Sequence, residues 1–177
     1  MIETYYAGSC WLARPEPAEV CARRAERFFH LLSRCDPGWT RWYQTADSFE
    51  EARNRRFATD AANFQRLFAQ EENHFGDRFS LHLWTGDSLD EMSGVDGSCG
   101  SSSLRLPSTC VLKPYDEGLI GGWVLTAPVM AGVLRAMADA WKPEWGVATS
   151  EAHRDAVVKG SPYATADRTK SMCMKLP

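Results

Sequence analysis

The sequence lacks the signatures of several common protein classes. None of its six cysteines forms a C-x-x-C pair, and no histidine spacing fits a zinc site. The net charge is -3, so the chain has no excess of basic side chains for sequence-independent nucleic-acid binding. The first residues, MIETYYAGSCW, show neither the basic start nor the apolar run of a secretory signal peptide. We therefore expect a cytoplasmic protein that binds no metal, no cofactor and no nucleic acid.

One charge-free run resembles a membrane span but is short for that role. Residues 118–134 carry no charged side chain, whereas a spanning helix needs about 20 apolar residues. Pro128 interrupts the run, and apolar residues continue at helical spacing past Arg135 and Asp139. This pattern favours a buried strand followed by an amphipathic helix and argues against a membrane span.

Helical and strand-like patterns alternate along the chain, whose length of 177 residues suits one domain. The patterns predict helices over 18–35, 49–55, 61–68 and 127–141, and strands over 3–11, 78–84, 91–99, 103–113 and 144–150. Ser48 is predicted to cap the second helix, and Thr59 or Asp60 the third. The order predicts a single α+β domain over residues 1–158, with helices packed on a mixed, mainly antiparallel sheet. Residues 159–177 lack periodicity and are predicted to be a tail outside the core.

Catalytic motifs are absent or incomplete. The segment DGSCGSSS (96–103) is not the G-x-S-x-G nucleophile elbow, and GLIGG (118–122) matches neither the dinucleotide fingerprint nor the P-loop. A catalytic Cys99 would need a histidine base nearby, and His82 is the best candidate for that base. A small hydrolase that uses His82 with Cys99 or with nearby acids is therefore the alternative hypothesis.

The stretch LHLWTGDSLDE (81–91) joins a histidine and a tryptophan to three carboxylates. No spacing in it matches a calcium-binding loop, so a metal site is the weaker interpretation. Residues 57–118 hold ten acidic side chains against four basic ones. An acidic turn beside an aromatic side chain is typical of a surface that binds a basic protein partner.

Four segments resemble one known family when they are taken together in their order and spacing. They are YYAGSCW (5–11), CARRAERFFHLLSRCDP (21–37), LHLWTGD (81–87) and WKPEWGVATS (141–150). They resemble the immunity protein 52 family of bacterial polymorphic-toxin, contact-dependent and type VI secretion systems, over residues 3–155. The resemblance implies a cytoplasmic, non-enzymatic antidote that binds a cognate toxin, most often a nuclease of the restriction-endonuclease fold that cleaves DNA. The chain departs from the family pattern after RDAVVKG (154–160).

The resemblance supplies no contact residues, so the expected interface rests on side-chain chemistry. The first predicted surface is acidic and would meet the basic residues that hold substrate phosphates in the toxin, occluding its active site: Asp87, Asp90, Glu91 and Asp96. Trp84 is predicted to anchor this contact if its ring is exposed. A second predicted surface lies just before the same strand: Glu71, Glu72 and Asp77.

Overall fold

The computed structural model describes residues 5–86, 92–114 and 126–150, together with residues 152, 153 and 156. The strands are β1 (Tyr5–Trp11), β2 (Trp42–Gln44), β3 (Arg56–Phe57), β4 (His74–Phe75), β5 (Arg78–Thr85), β6 (Ser93–Cys99), β7 (Ser108–Pro114) and β8 (Trp145–Ser150). The helices are α1 (Ala18–Leu32), α2 (Phe49–Arg53), α3 (Ala61–Phe68) and α4 (Ala127–Trp141), with short 3-10 helices at Pro37–Thr40 and Glu71–Asn73. Two predicted segments, the buried strand before residue 126 and the tail at 159–177, lie outside these residues.

All eight strands form one open sheet in the order β3-β2-β5-β6-β7-β1-β8, with β4 also paired to β5. Every pairing between neighbours is antiparallel. The predicted single α+β domain with a mainly antiparallel sheet is therefore confirmed.

Helices α1, α3 and α4 cover one face of the sheet because each carries an apolar stripe. On α1, the buried side chains recur at helical spacing: Cys21, Ala22, Ala25, Phe28, Phe29 and Leu32. Phe29 lies at the centre of this core, with its ring 4.9 Å from that of Trp42 and 5.4 Å from that of Phe64. The strands contribute alternate residues to the same core, including Leu81, Leu83, Val95 and Leu112. We call this the covered face of the sheet.

The opposite face of the sheet, here called the outer face, carries a smaller apolar cluster. Tyr43 of β2 stacks on Trp84 of β5 with ring centroids 5.0 Å apart, and Phe49 of α2 packs on the same indole at 5.4 Å. The outer face between β5 and β6 is polar: His82 lies opposite Asp96, and Ser80 opposite Ser98. Helix α2 therefore shields only the part of this face beside β2.

Two arginines stabilise the C-terminal end of α4, where backbone carbonyls have no partner within the helix. Arg14 donates to the carbonyls of Trp141 and Lys142, and Arg24 donates to the carbonyl of Ala140 at 2.9 Å. Arg24 is also bound through two of its nitrogens to the carboxylate of Glu16. Both cations thus lie where the helix dipole is negative.

Gly100 ends β6 in a conformation that other residues adopt only with strain, at φ +83°. A Cβ at this position would lie 3.0 Å from the Glu16 carbonyl oxygen and 3.0 Å from the Phe79 ring. We expect Gly100→Ala to lower the free energy of unfolding by about 1–3 kcal/mol, because backbone strain and overpacking add. Chemical denaturation measures this, with Gly94→Ala as the control, since the atoms nearest its added Cβ lie 4.0 Å away. Equal losses in the two variants would contradict the packing of Gly100 described here.

Candidate partner-binding surfaces

The second predicted acidic surface lies at the start of strand β5, and Asp96 of the first lies opposite His82, near the middle of β5. Glu71, Glu72 and Asp77 precede its first residue, Arg78, while the predicted acidic turn follows Thr85. The seven steps from Arg78 to Thr85 span about 24 Å at roughly 3.4 Å per residue. Asp96, which is paired with His82, therefore lies about 14 Å along the sheet from Arg78.

Of the first predicted surface, the structure describes Asp96 and Trp84. Asp87, Asp90 and Glu91 lie outside the described residues. Asp96 lies in the middle of β6 and faces outward, where its carboxylate accepts a 2.8 Å hydrogen bond from His82 Nδ1. It is thus accessible on the outer face, although it already has a partner.

Trp84 does not meet the condition under which it was predicted to anchor a contact. Its side chain is 6% exposed, because Tyr43 and Phe49 pack on the indole ring. The indole nitrogen donates to the carbonyl of Gln44 at 3.0 Å, so its polar atom is satisfied as well. The required exposure is absent, so Trp84 is not an anchor for a partner and instead joins β5 to β2 and α2.

The His82–Asp96 pair is a titratable group on the outer face, with more than half of each side chain exposed. The hydrogen bond to Asp96 raises the pKa of His82 above its ordinary value of 6.5, outweighing the opposing effect of partial burial. The pair therefore contributes stability that is fully present below pH 6.5 and is lost as the pH rises through the raised pKa. Solvent exposure keeps this contribution small.

We expect an NMR titration to show the pKa of His82 falling toward its ordinary value in Asp96→Asn. The reason is that the neutral amide cannot stabilise the imidazolium as the carboxylate does. Asp139→Asn, which removes an exposed carboxylate from α4, serves as the control of equal charge and should leave the pKa of His82 unchanged. An unchanged His82 titration in Asp96→Asn would contradict the pairing.

The hypothesis of a His82–Cys99 catalytic pair is wrong on geometry. Cys99 points to the covered face and is 1% exposed, whereas His82 lies on the outer face. A hydrogen bond to the Cys21 thiol and burial both raise the pKa of Cys99 far above its ordinary range, so the reactive thiolate is disfavoured. Among the described residues, Asp96 is the hydrogen-bond partner of the His82 ring, and no hydroxyl or thiol is bonded to it. No three described His, Cys, Asp or Glu side chains lie close enough to hold a metal ion.

The sheet exposes apolar side chains at the end where strand β5 begins. Antiparallel pairing brings the start of β5, the end of β6, the start of β7 and the end of β1 to this end. Four of the five large apolar side chains that are exposed in the described part lie there: Leu12, Phe75, Leu104 and Leu106, at 44%, 63%, 78% and 39% exposure. We call these four residues the sheet-end surface.

Hydrogen bonds hold the loops of the sheet-end surface in place. The Asp77 carboxylate accepts from the backbone N–H of Ser102 at 2.6 Å and from the hydroxyls of Ser101 and Ser102. The Arg78 guanidinium lies 4.9 Å from the centroid of the Phe75 ring and donates to the Pro107 carbonyl. These bonds link the turn before β5 to the loop between β6 and β7.

Asp77 and the two glutamates of the second predicted surface play different parts. The hydrogen bonds from Ser102 lower the pKa of Asp77, so its carboxylate stays ionised and bound to its own loop. Glu71 and Glu72 are exposed, and their carboxylates have no hydrogen-bond or ion-pair partner among the residues that the structure describes. They are therefore available to a partner, beside Phe75.

Sequence reasoning missed all four apolar members of the sheet-end surface. Leu104 and Leu106 stand in the polar stretch SSSLRLPS (101–108), and Leu12 follows the last residue of a predicted strand, so no local pattern marks them as one surface. The sequence feature that could have indicated an exposed apolar side chain was Phe75 before Gly76. A large apolar side chain next to a turn is poorly placed for burial.

No helix in the described part of the chain has both the length and the apolar character needed to cross a membrane. Residues 3–167 match the sequence model of a protein family that is described as "Immunity protein 52". No curated protein matches the chain at a significant level. Among solved structures, the "Pseudomonas aeruginosa T6SS protein PA0821" is similar with a TM-score of 0.48 and 11% sequence identity. That similarity covers 84% of this chain but 40% of the other.

Proposed function

Because the chain belongs to the immunity protein 52 family, we propose that it is a cytoplasmic immunity protein that binds and neutralises one cognate secreted toxin. Membership of an immunity family implies a toxin as the partner. The observation that carries a binding role in this chain is the concentration of exposed apolar side chains at one end of the sheet, where water is their present neighbour.

Binding rather than catalysis is the mode of action that we propose. His82 and Cys99 lie on opposite faces of the sheet, and the thiol is inaccessible. The His82–Asp96 pair lies on an exposed strand surface, where water screens it, whereas catalytic groups are usually placed in a concave pocket. The exposed carboxylates Glu71, Glu72 and Asp96 are instead suited to contact basic groups of a protein partner.

A nuclease that cleaves DNA is the toxin that we propose, with its active site occluded in the complex. A nuclease cleft must attract phosphate and is therefore basic. The excess of acidic side chains over residues 57–118 of this chain is complementary to such a cleft. The test is cleavage of plasmid DNA by the toxin domain encoded beside this chain's gene. We expect one equivalent of the immunity protein to abolish cleavage, and continued cleavage in a stoichiometric complex would contradict occlusion.

The acidic turn is one proposed contact, and charge reversal tests it separately. We expect the double variant Asp87→Lys/Glu91→Lys to fold normally but to bind the toxin domain much more weakly, because desolvated charge pairs couple by roughly 1.5–7 kcal/mol. The control is the double variant Glu19→Lys/Asp139→Lys, which reverses two exposed charges on α1 and α4. Calorimetry that finds unchanged affinity in the folded Asp87/Glu91 variant would remove the acidic turn from the interface.

A further inference from the structure

We propose that the sheet-end surface is the apolar centre of the toxin interface and that it inserts into an apolar recess of the toxin with basic groups at its rim. The proposal rests on the proposed function, that this chain binds a toxin. It adds which surface carries the affinity and which chemistry the toxin must present there.

The clustering of the four apolar side chains is the first argument. They come from three separate segments: the residue after β1, the last residue of β4 and the loop between β6 and β7. Phe75 lies on β4, and β4, β5, β6, β7 and β1 are successive neighbours in the sheet, so the four residues lie within about four strand spacings, roughly 19 Å. A width of this size fits the centre of one interface, since a standard interface buries about 800 Å² per partner.

The fixed geometry of the loops is the second argument. Asp77 is bonded to Ser101 and Ser102, and the Ser103 hydroxyl accepts from the backbone N–H groups of Arg105 and Leu106. Arg14 N–H also donates to the Ser101 carbonyl at 2.8 Å, which ties the segment after β1 to the same loop. Leu104 and Leu106 are therefore displayed on an ordered loop, and a preordered surface loses less entropy on binding.

Charge identifies the occupant as a partner with basic groups. Glu71 and Glu72 precede Phe75 by four and three residues, are exposed, and have no ion-pair partner among the described residues. A second copy of this chain would offer these carboxylates only Arg105, which is exposed, and Arg78, whose guanidinium already lies over the Phe75 ring and donates to the Pro107 carbonyl. A toxin with a basic rim would neutralise them, and its apolar recess would bury Phe75 and Leu104.

Titration calorimetry compares the affinities of the wild type, a double variant and a control variant for the domain of the toxin encoded beside this chain's gene. The double variant Phe75→Ser/Leu104→Ser removes the two most exposed apolar side chains, and we expect its Kd to rise at least 100-fold. The control is Tyr5→Ser, which removes the exposed aromatic ring at the opposite end of β1, and we expect a change below threefold. Circular dichroism and thermal unfolding establish that each variant is folded; if the double variant is not, Leu106→Ser replaces it with an expected rise of at least tenfold.

The outcomes separate this proposal from the proposed function. If the wild type and the folded double variant both bind tightly, the sheet-end surface is not the centre of the interface. The toxin-binding function would still stand. Failure of the wild type to bind the toxin domain would overturn both. Light scattering on the immunity protein alone gives a third outcome: a wild-type dimer that becomes monomeric in the double variant would show a self-association surface and overturn the proposal.

Discussion

Phe29→Ala is expected to lower the free energy of unfolding by about 3–5 kcal/mol, the usual range for removing a buried phenylalanine. Phe29 is 1% exposed, and its ring contacts Phe28, Trp42 and Phe64. These partners come from α1, β2 and α3. An alanine would therefore leave a cavity where three elements meet, and the surrounding rings cannot all collapse into it.

Urea denaturation measures this effect, and Phe75→Ala provides the matched control. The control deletes the same atoms from a side chain that is 63% exposed, so we expect a loss of about 1 kcal/mol or less. The ratio of the two losses tests the placement of the core. A loss at Phe29 no larger than that at Phe75 would contradict the packing of α1 against β2 and α3.

Arg24→Met is expected to lower the free energy of unfolding by about 2 kcal/mol. The guanidinium is bonded to the Glu16 carboxylate at 2.7 Å and to the Ala140 carbonyl at 2.9 Å. Its side chain and that of Glu16 are 21% and 14% exposed, so solvent screens the pair only in part. Methionine preserves much of the apolar stem but leaves a carboxylate and a helix-end carbonyl without their donor.

A double-mutant cycle with Glu16→Gln separates the ion pair from the helix-end contact. We expect a coupling of about 1 kcal/mol between Arg24 and Glu16, with the remaining loss assigned to the Ala140 carbonyl. Arg23→Met is the control, since Arg23 is exposed on α1, and its loss should be within about 0.5 kcal/mol. Additive losses in the cycle, with no coupling, would contradict a stabilising Glu16–Arg24 bond.

Strong apolar periodicity accounts for the elements that the sequence predicted well. Helix α4 has the predicted bounds, and Ser48 and Asp60 accept hydrogen bonds from the N–H groups of Glu51 and Asn63, as N-caps do. Helix α1 ends at Leu32 rather than at residue 35, because Arg34 and Cys35 form turn bonds to carbonyls three residues back. Apolar spacing continues through that turn, so periodicity alone overestimates the length of the helix.

Contacts between distant segments account for what the sequence could not predict. Strands β3 and β4 have two residues each, too few for an alternating pattern. Trp84 is buried by Tyr43 of β2 and Phe49 of α2, about forty residues earlier in the chain. The faces of His82 and Cys99 depend on the register of β5 against β6, which brings together residues about fifteen to twenty positions apart.

The sheet-end surface could not be predicted for the same reason, because it is formed by residues that are distant in the sequence. Leu12, Phe75 and Leu104 are separated by about sixty and thirty residues in the chain, and only the sheet topology brings them to one end. The acidic side chains were visible in the sequence because charge can be counted along it. An apolar surface built from single side chains in three segments has no local pattern to reveal it.

The most direct test of whether this chain neutralises a toxin by binding it is a calorimetric titration. The purified immunity protein is titrated into the domain of the toxin that is encoded beside its gene. We expect a saturable complex with one immunity protein per toxin domain, accompanied by loss of toxin activity at the same ratio. Two folded proteins that show no heat of binding and no co-elution, with toxin activity unchanged at a large excess of the immunity protein, would contradict it.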